Sequence, residues 1–237
     1  MQRFFIDPVL LQNAVVELPD NIVYQLIHVL RARQGDHMIL LDDTGWEYQA
    51  ELLKVSQHQV TAGITGKAIP KREPSVRISL YQALVRETKM DWVLQKGTEL
   101  GVAAFIPLFC ERSLISPPSP SKYERWRRII TEAAEQSGRT RMPRLELAQP
   151  FEHACARSAG LSLIAVPQQA LSLKQALPTA APQELNLYIG PEGGFSADEE
   201  SYARGQDVLP VRLGARILRT ETAGLAAVAA ILFSYDE

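Results

Sequence analysis

The hydrophobic and polar positions follow one pattern up to about residue 70 and a different one beyond it. In the first part, short apolar runs are typical of strands, and Ile22, Leu26, Val29 and Leu30 recur at the spacing of one helix. Turn-forming residues at 42–45 separate two of the runs, which predicts a hairpin. Several short strands with one helix are typical of a small β-barrel-like module. The helix is expected over residues 21–33, and the strands at residues 3–6, 15–18, 38–41, 46–55 and 59–64.

From Val76 onward, apolar strands alternate with segments of helical periodicity. This alternation predicts right-handed βαβ units and a parallel sheet covered on both faces, which is the α/β class. A charged, proline-containing stretch at residues 71–74 suits a linker, so we predict two domains, residues 1–72 and 73–237. The strands are expected at residues 76–85, 104–109, 145–147, 161–166, 185–189 and 208–213, and the helices at 89–100, 121–137, 171–177, 196–204 and 221–233.

Composition places the chain among soluble globular proteins. Its 237 residues are 46% hydrophobic and 22% charged, which excludes disordered, collagen-like and coiled-coil classes. The short apolar run at the start does not suit a secretory signal, and no stretch approaches the roughly 20 apolar residues of a membrane span. We therefore expect a cytoplasmic protein with no membrane partner. Cys110 and Cys155 form no disulfide framework and are expected to be reduced core residues.

The formal charge of −2 by itself disfavours a nucleic-acid partner, but the charge is distributed unevenly along the chain. Residues 74–160 contain 13 Lys+Arg and 9 Asp+Glu, a net charge of +4, and this excess is concentrated in residues 122–144. The helical part of that segment could be an ordinary solvated amphipathic face. Beyond Gly138, however, Arg139, Arg141 and Arg144 follow closely in a predicted loop, where guanidinium groups can bind phosphates.

Several familiar catalytic schemes are excluded by the absence of their motifs. The chain has no G-x-G-x-x-G turn, no complete P-loop and no G-x-S-x-G nucleophile elbow. Its four histidines, His28, His37, His58 and His153, are scattered without the spacing of metal ligands, so we predict no metal site.

Two glycine-containing loops each connect a predicted strand to a predicted helix. The first spans residues 189–196, and Ser196 and Glu199 beyond it form a capping box. The second spans residues 213–224. Such loops could simply be tight turns, but at the carboxyl ends of parallel strands they are also where α/β sheets bind ligands. Arg219 and Glu221 stand at the second loop-to-helix junction, where an ion pair that pins the loop and a functional role are both open.

Five motifs resemble those of the bacterial 16S rRNA (uracil(1498)-N(3))-methyltransferases, a family of the SPOUT superfamily. The likeness extends to RFFID and VLRARQGD in the N-terminal part and so covers nearly the whole chain. The motifs are KMDWVLQKGTELG at residues 89–101, FCERS at 109–113, EAAEQSGR at 132–139, IGPEGGFS at 189–196 and LGARILRTETA at 213–223. Two departures, Gly97 where alanine is expected and Gln34 where proline is common, bear only on local stability.

The resemblance implies a fold, a cofactor and an assembly. Residues 1–72 would form a PUA-like RNA-binding barrel, and residues 73–237 a SPOUT methyltransferase domain with a deep trefoil knot, acting as a homodimer. Such a knot is an exception to the rule against threaded chains. S-adenosylmethionine would lie against residues 166–167, 190–194 and 213–222. The implied contact residues are Val166, Pro167, Gly190, Pro191, Glu192, Gly193, Gly194, Leu213, Gly214, Ile217, Leu218, Arg219 and Thr222.

The implied reaction moves a methyl group to N3 of a uridine in 16S rRNA of the small ribosomal subunit. We hypothesise that Arg219 stabilises the anionic uracil and that Glu221 fixes this arginine; the proton acceptor is not identified. The expected RNA contacts are Arg139 and Arg141, with help from Arg3, Arg31 and Arg33. Two alternatives stay open: a SPOUT enzyme acting on another rRNA or tRNA nucleotide, and a non-catalytic RNA-binding assembly factor.

Overall fold

A computed structural model of the protein describes residues 1–113, 115–157, 159–167 and 170–236. It divides into two compact units. The first unit comprises Met1–Glu73 together with Ala134–Met142, and the second comprises Pro74–Ala133 together with the chain from Pro143 onward. The first division falls next to the boundary expected after residue 72. The sequence pattern did not predict that residues 134–142 join the first unit.

The first unit is built on a mixed sheet with the strand order β1-β3-β4-β5-β2. The predicted hairpin is confirmed, because β3 and β4 pair antiparallel on either side of a turn in which Asp43 and Gly45 adopt positive φ. Within this five-stranded sheet, the pairing of β1 with β3 is parallel and the other described pairings are antiparallel. The strands are β1 (Gln2–Phe5), β2 (Val15–Glu17), β3 (His37–Leu41), β4 (Glu47–Val55) and β5 (Val60–Ala68).

The predicted helix over residues 21–33 is shorter in the structure. Helix α1 (Asp20–Tyr24) continues as a π-helical turn, Gln25–Val29, and ends there. Arg31 adopts a left-handed conformation with φ 53°, which no α-helix can continue, and the amide of Ala32 donates back to the carbonyl of Leu26. A 3₁₀ turn at Pro8–Gln12, capped by the side chain of Asp7, was not predicted.

The second unit is built on a parallel sheet with the order β11-β13-β10-β12-β6-β7-β8, and β9 also pairs with β7. This confirms the predicted α/β class. Its strands are β6 (Arg77–Ala83), β7 (Ala104–Phe109), β8 (Arg144–Leu145), β9 (Gln149–Pro150), β10 (Leu161–Ala165), β11 (Leu171–Ser172), β12 (Glu184–Ile189) and β13 (Leu209–Arg212). Its helices are α2 (Glu87–Leu100), α3 (Pro120–Ser137), α4 (Phe151–Arg157), α5 (Leu173–Ala176), α6 (Ala197–Gly205) and α7 (Thr220–Tyr235).

Three differences from the predicted elements have local causes. Helix α4 was missed, because seven residues are too few for a clear periodicity. The predicted helix at residues 171–177 begins as β11, since Ser172 is extended and caps the short helix α5. The predicted strand at residues 145–147 is only the two-residue strand β8.

Helices cover both faces of the parallel sheet. Neighbouring residues of one strand belong to opposite apolar clusters, as Leu187 and Tyr188 of β12 show. The cluster around Leu187 includes Val228 of α7, and the cluster around Tyr188 includes Phe151 of α4. The two cysteines are buried and free, and burial raises the pKa of Cys155 to about 12. Within the described residues, no helix is long and apolar enough to cross a membrane.

The strand order determines which loops meet. Strands β13, β10, β12 and β6 are consecutive neighbours and run parallel, so their carboxyl ends lie along one edge of the sheet. The loops that follow Ala165, Ile189 and Arg212 therefore meet at that edge.

Candidate functional site

A cavity of about 540 Å³ lies at this edge of the second unit. Its volume is within the range of about 300–1,000 Å³ that is typical of small-molecule sites. Three loops after parallel strands and the first turn of α7 build most of its wall. It is lined by Lys89, Ala165, Val166, Pro167, Ile189, Gly190, Pro191, Glu192, Gly193, Gly194, Leu213, Gly214, Arg216, Ile217, Leu218, Arg219, Thr220 and Ala223.

The structure brings the predicted cofactor-contact residues together, with one exception. All except Thr222 line the cavity. Thr222 is exposed on α7, while Thr220, two residues earlier, is buried and lines the cavity. Successive helical residues are rotated by about 100°, so positions 220 and 222 cannot face the same side. The prediction of Thr222 as a contact is therefore corrected to Thr220.

The turn after β12 is held from several sides. Gly194 has φ 68°, and its amide donates to the carbonyl of Pro191 at 2.9 Å. Nη1 of Arg112 donates to the carbonyl of Gly193 at 2.9 Å and to that of Phe195 at 3.1 Å. Arg112 belongs to the FCERS motif, and its role was not predicted. The turn's backbone shape is thus supported by a side chain from another loop.

The capping box predicted at the start of α6 is confirmed. The amide of Glu199 donates to Oγ of Ser196 at 3.2 Å, and Oε2 of Glu199 accepts from the amide of Ser196 at 2.8 Å. The other oxygen of Glu199 accepts from the amide of Glu111 at 2.8 Å. The same carboxylate therefore caps a helix and anchors the loop that carries Arg112.

A buried amide connects the cavity to the sheet. Gln82 of β6 is fully buried, and its Nε2 donates to Oγ1 of Thr220 at 3.1 Å. Thr220 in turn donates to the carbonyl of Gly190. A Cβ at Gly224 would lie 3.2 Å from Oε1 of Gln82, so this glycine allows α7 to approach the sheet closely. Neither Gln82 nor Thr220 was assigned a specific contact from sequence.

Lys89 connects two walls of the cavity. Its Nζ lies 2.9 Å from Oε1 of Glu192, in the turn after β12, and 3.3 Å from Oε2 of Glu221, in the first turn of α7. The hydrogen bond with Glu192 raises the pKa of Lys89 and lowers the pKa of Glu192. The predicted partner of Glu221 was Arg219; the structure pairs Glu221 with Lys89 instead, and places Arg219 exposed at the N-cap of α7.

The predicted RNA-contact residues are found in different settings within the first unit. Arg31, Arg33 and Arg141 are exposed. Nε of Arg3 lies 3.6 Å from Oε1 of Glu47. These four residues stay available as predicted contacts, although Arg3 already has an acidic neighbour.

Arg139 requires a correction. Its side chain is 7% exposed, and its Nε and Nη2 donate to Oε2 of Glu73 at 3.2 and 2.7 Å. The other oxygen of Glu73 accepts from the amides of Thr140 at 2.8 Å and Arg141 at 3.1 Å. Burial alone would raise the pKa of Glu73, but the hydrogen bonds and charge of Arg139 together with these amides lower it. The guanidinium fork predicted to bind a phosphate is occupied by this carboxylate.

The cavity suits a ligand with an apolar or aromatic body and a few polar groups. Side chains such as Val166 and Leu218 supply an apolar wall, while Arg216 and Arg219 bring positive charge. Gly194 and Gly214 have positive φ, and a Cβ at either would meet open space. Within the described part of the chain, no group of three His, Cys, Asp or Glu side chains could hold a metal ion.

Comparison with known proteins gives consistent results. A sequence model of the RNA methyltransferase domain family matches residues 71–232. The ribosomal RNA small subunit methyltransferase E of Bacillus subtilis is 34% identical over 100% of this chain and 98% of its own length. The Synechocystis protein of the same name is 35% identical over 97% of this chain and 76% of its own.

Solved structures agree with the sequence relatives. The ribosomal RNA small subunit methyltransferase E of Neisseria gonorrhoeae, bound to S-adenosyl methionine, superposes with a TM-score of 0.91 at 33% identity, covering 99% of this chain and 98% of that one. A methyltransferase from Legionella pneumophila, also in complex with this cofactor, gives 0.88 at 31% identity, covering 97% and 96%. The family match, the extent of these relatives and the shared fold show that this chain belongs to the RNA methyltransferase family, together with the ribosomal RNA small subunit methyltransferases E.

Proposed function

We propose that this protein transfers a methyl group from S-adenosylmethionine to N3 of a uridine in 16S rRNA, the nucleotide numbered 1498 in the family's name. Membership of the family supports an S-adenosylmethionine-dependent methyltransferase of small-subunit rRNA. The observation that carries the proposal is the cavity. Two glycine-containing loops form part of its wall, and there a small ligand can contact their main chain.

The residues present fit the cofactor. The cavity volume of about 540 Å³ is sufficient for a ligand of this size, and its wall is largely apolar. Gly194 and Gly214 leave the backbone open to a ligand, because no side chain projects from either position. Residues 190–194 and 213–218, with Val166 and Pro167, would hold the cofactor.

Bound S-adenosylmethionine supplies a methyl group that is already activated on a sulfonium centre. The protein then has to align the uracil and manage the proton on its N3. We assign Arg219 to stabilise negative charge on the uracil, since it lines the cavity and carries an exposed guanidinium. The N-terminus of α7 at the same place adds a partial positive charge. Glu221 acts in this scheme through Lys89, its observed partner.

The RNA would be bound mainly by the first unit. Exposed Arg31, Arg33 and Arg141, with Arg3, would contact phosphates. We propose that this unit is a PUA-like barrel, that the second unit contains the deep trefoil knot of SPOUT enzymes, and that the protein acts as a cytoplasmic homodimer. The five-stranded sheet of the first unit and the parallel sheet of the second support the two-domain part of this proposal.

The test is mass mapping of methylated nucleotides in 16S rRNA from cells with and without the protein. We expect a methyl group on N3 of the target uridine in cells that contain the protein. This methyl group should be absent from cells that lack the protein and should return when the wild-type gene is restored. Restoration at a different nucleotide would refute the target assignment, and no methylation change would favour a non-catalytic assembly factor. Arg219→Ala should slow single-turnover methylation about a hundredfold or more. A wild-type rate would exclude Arg219 from the chemical step.

A further inference from the structure

Lys89 is fixed in the cavity wall by two carboxylates that come from distant parts of the chain. It lies in the first turn of α2, and its side chain is 26% exposed. Glu192 approaches it from the turn after β12, and Glu221 from the first turn of α7. A surface lysine samples many rotamers, and the rotamer seen here places the ammonium group of Lys89 beside the cavity, where both carboxylates favour it.

The hydrogen-bonding capacity of Lys89 exceeds what these partners use. An ammonium group has three N–H donors and no acceptor. Among the described residues, Nζ of Lys89 forms a hydrogen bond with Glu192 and an ion pair with Glu221 at 3.3 Å, so at least one donor is left on a group that lines the cavity. A ligand oxygen is the natural acceptor for it.

The protonation state also favours donation. The two carboxylates raise the pKa of Lys89, so the group is an ammonium at neutral pH and cannot accept the proton from a uridine. A hydrogen bond from this ammonium group to a ligand oxygen would be charge-assisted.

We propose that Lys89 contacts the bound ligand and donates its third N–H to an oxygen that carries negative charge. This assignment rests on the proposed function, and two oxygens have the required chemistry: the carboxylate of S-adenosylmethionine, and a carbonyl oxygen of the uracil as N3 loses its proton. Glu192 and Glu221 are the positioning residues of this contact, because they act on the ligand through Lys89.

The first measurement is calorimetric titration of purified protein with S-adenosylmethionine. The variants are Lys89→Met, which removes the donor, Lys89→Arg, which retains charge and donors, and Lys96→Met as the matched control. Lys96 lies on the same helix and is paired with Glu99, with a side chain 31% exposed. If the cofactor carboxylate is the acceptor, Lys89→Met raises Kd at least tenfold, Lys89→Arg restores most of the affinity, and Lys96→Met stays within twofold.

Decarboxylated S-adenosylmethionine distinguishes a direct contact between Lys89 and the cofactor carboxylate from a structural change in the cavity wall. A direct contact with the carboxylate predicts that wild type and Lys89→Met bind this analogue with similar affinity. A purely structural effect would weaken both ligands equally and would overturn the assignment. Thermal unfolding of each variant checks that the fold is intact.

The second arm tests the uracil. Unchanged affinity for S-adenosylmethionine, with a single-turnover rate for 16S rRNA at least tenfold lower in Lys89→Met and restored in Lys89→Arg, assigns the contact to the uracil oxygen. Values within twofold of wild type in both arms would overturn the role of Lys89 while the wild-type enzyme stays active. Failure of wild-type protein to bind S-adenosylmethionine would instead refute the proposed function, and the assignment of Lys89 with it.

Discussion

Replacing Arg139 with alanine decides whether this arginine stabilises the first unit or binds RNA. Its guanidinium forms two hydrogen bonds with Glu73, and its side chain is only 7% exposed. Breaking a buried ion pair costs about 3–5 kcal/mol when the remaining charge loses its partner. Glu73 would retain hydrogen bonds from the amides of Thr140 and Arg141, and its side chain is 23% exposed. We therefore expect the variant to lose stability at the low end of this range, about 3 kcal/mol.

Hydrogen exchange followed by mass spectrometry is the suitable assay, because it reports the stability of the first unit separately. A loss of about 3 kcal/mol lowers protection in β1, β3 and β4 roughly a hundredfold. Arg141→Ala is the control: Arg141 is exposed, and we expect its removal to change stability by less than about 0.5 kcal/mol.

RNA binding should depend on Arg141 and not on Arg139, which is the reverse of the expected effects on stability. At a temperature where both variants are folded, Arg141→Ala should flatten the slope of log affinity against log salt by about one unit, and Arg139→Ala should leave it unchanged. A destabilisation below about 1 kcal/mol for Arg139→Ala, together with a flatter salt slope, would refute the reasoning and return Arg139 to the RNA interface.

Three further predictions follow from the same structure. The pKa of Glu73 is lowered in the folded protein, so the stabilising contribution of its carboxylate is present above the usual carboxyl pKa and is lost as pH falls through the folded pKa. The hydrogen-exchange protection of the first unit should therefore decrease as pH falls below the usual carboxyl pKa, and Glu73→Gln should show no such step. Gly194→Val should raise the Kd for S-adenosylmethionine more than tenfold in calorimetry with little change in Tm, because a β-branched residue at φ 68° forces the turn to rearrange; equal affinity would exclude this role. Gly97→Ala should lower the free energy of unfolding by about 1 kcal/mol despite the better helix propensity, since the added Cβ would lie 2.7 Å from the buried ring of Phe105; a more stable variant in urea unfolding would contradict this.

The features that could be predicted from sequence are those with a local signature. Ser196 and Glu199 are three residues apart, and the capping box they form needs nothing else. The two glycine loops were placed correctly because each follows an apolar run, and parallel strands bring such loops to one edge. The α/β alternation likewise depends only on periodicity within each segment.

The features that could not be predicted depend on partners far along the chain. Lys89 and Arg112 stood in motifs without an assigned contact, because nothing in their spacing shows which loop they meet. Arg139 in a loop looks the same in sequence whether its partner is a phosphate or Glu73, which lies 66 residues earlier. The helix at residues 21–33 was overextended because apolar spacing does not show that Arg31 adopts a left-handed conformation.

The segment Ala134–Met142 has a consequence for synthesis of the protein. The first unit includes this segment in addition to Met1–Glu73, so a ribosome that has made the whole N-terminal sheet has not yet made all of the unit. At about 5–20 residues per second, the intervening chain takes on the order of 3–14 seconds to appear. During that interval Glu73 lacks its partner Arg139, and the first unit lacks residues 134–142. Completion of the first unit is therefore tied to translation of residues 134–142.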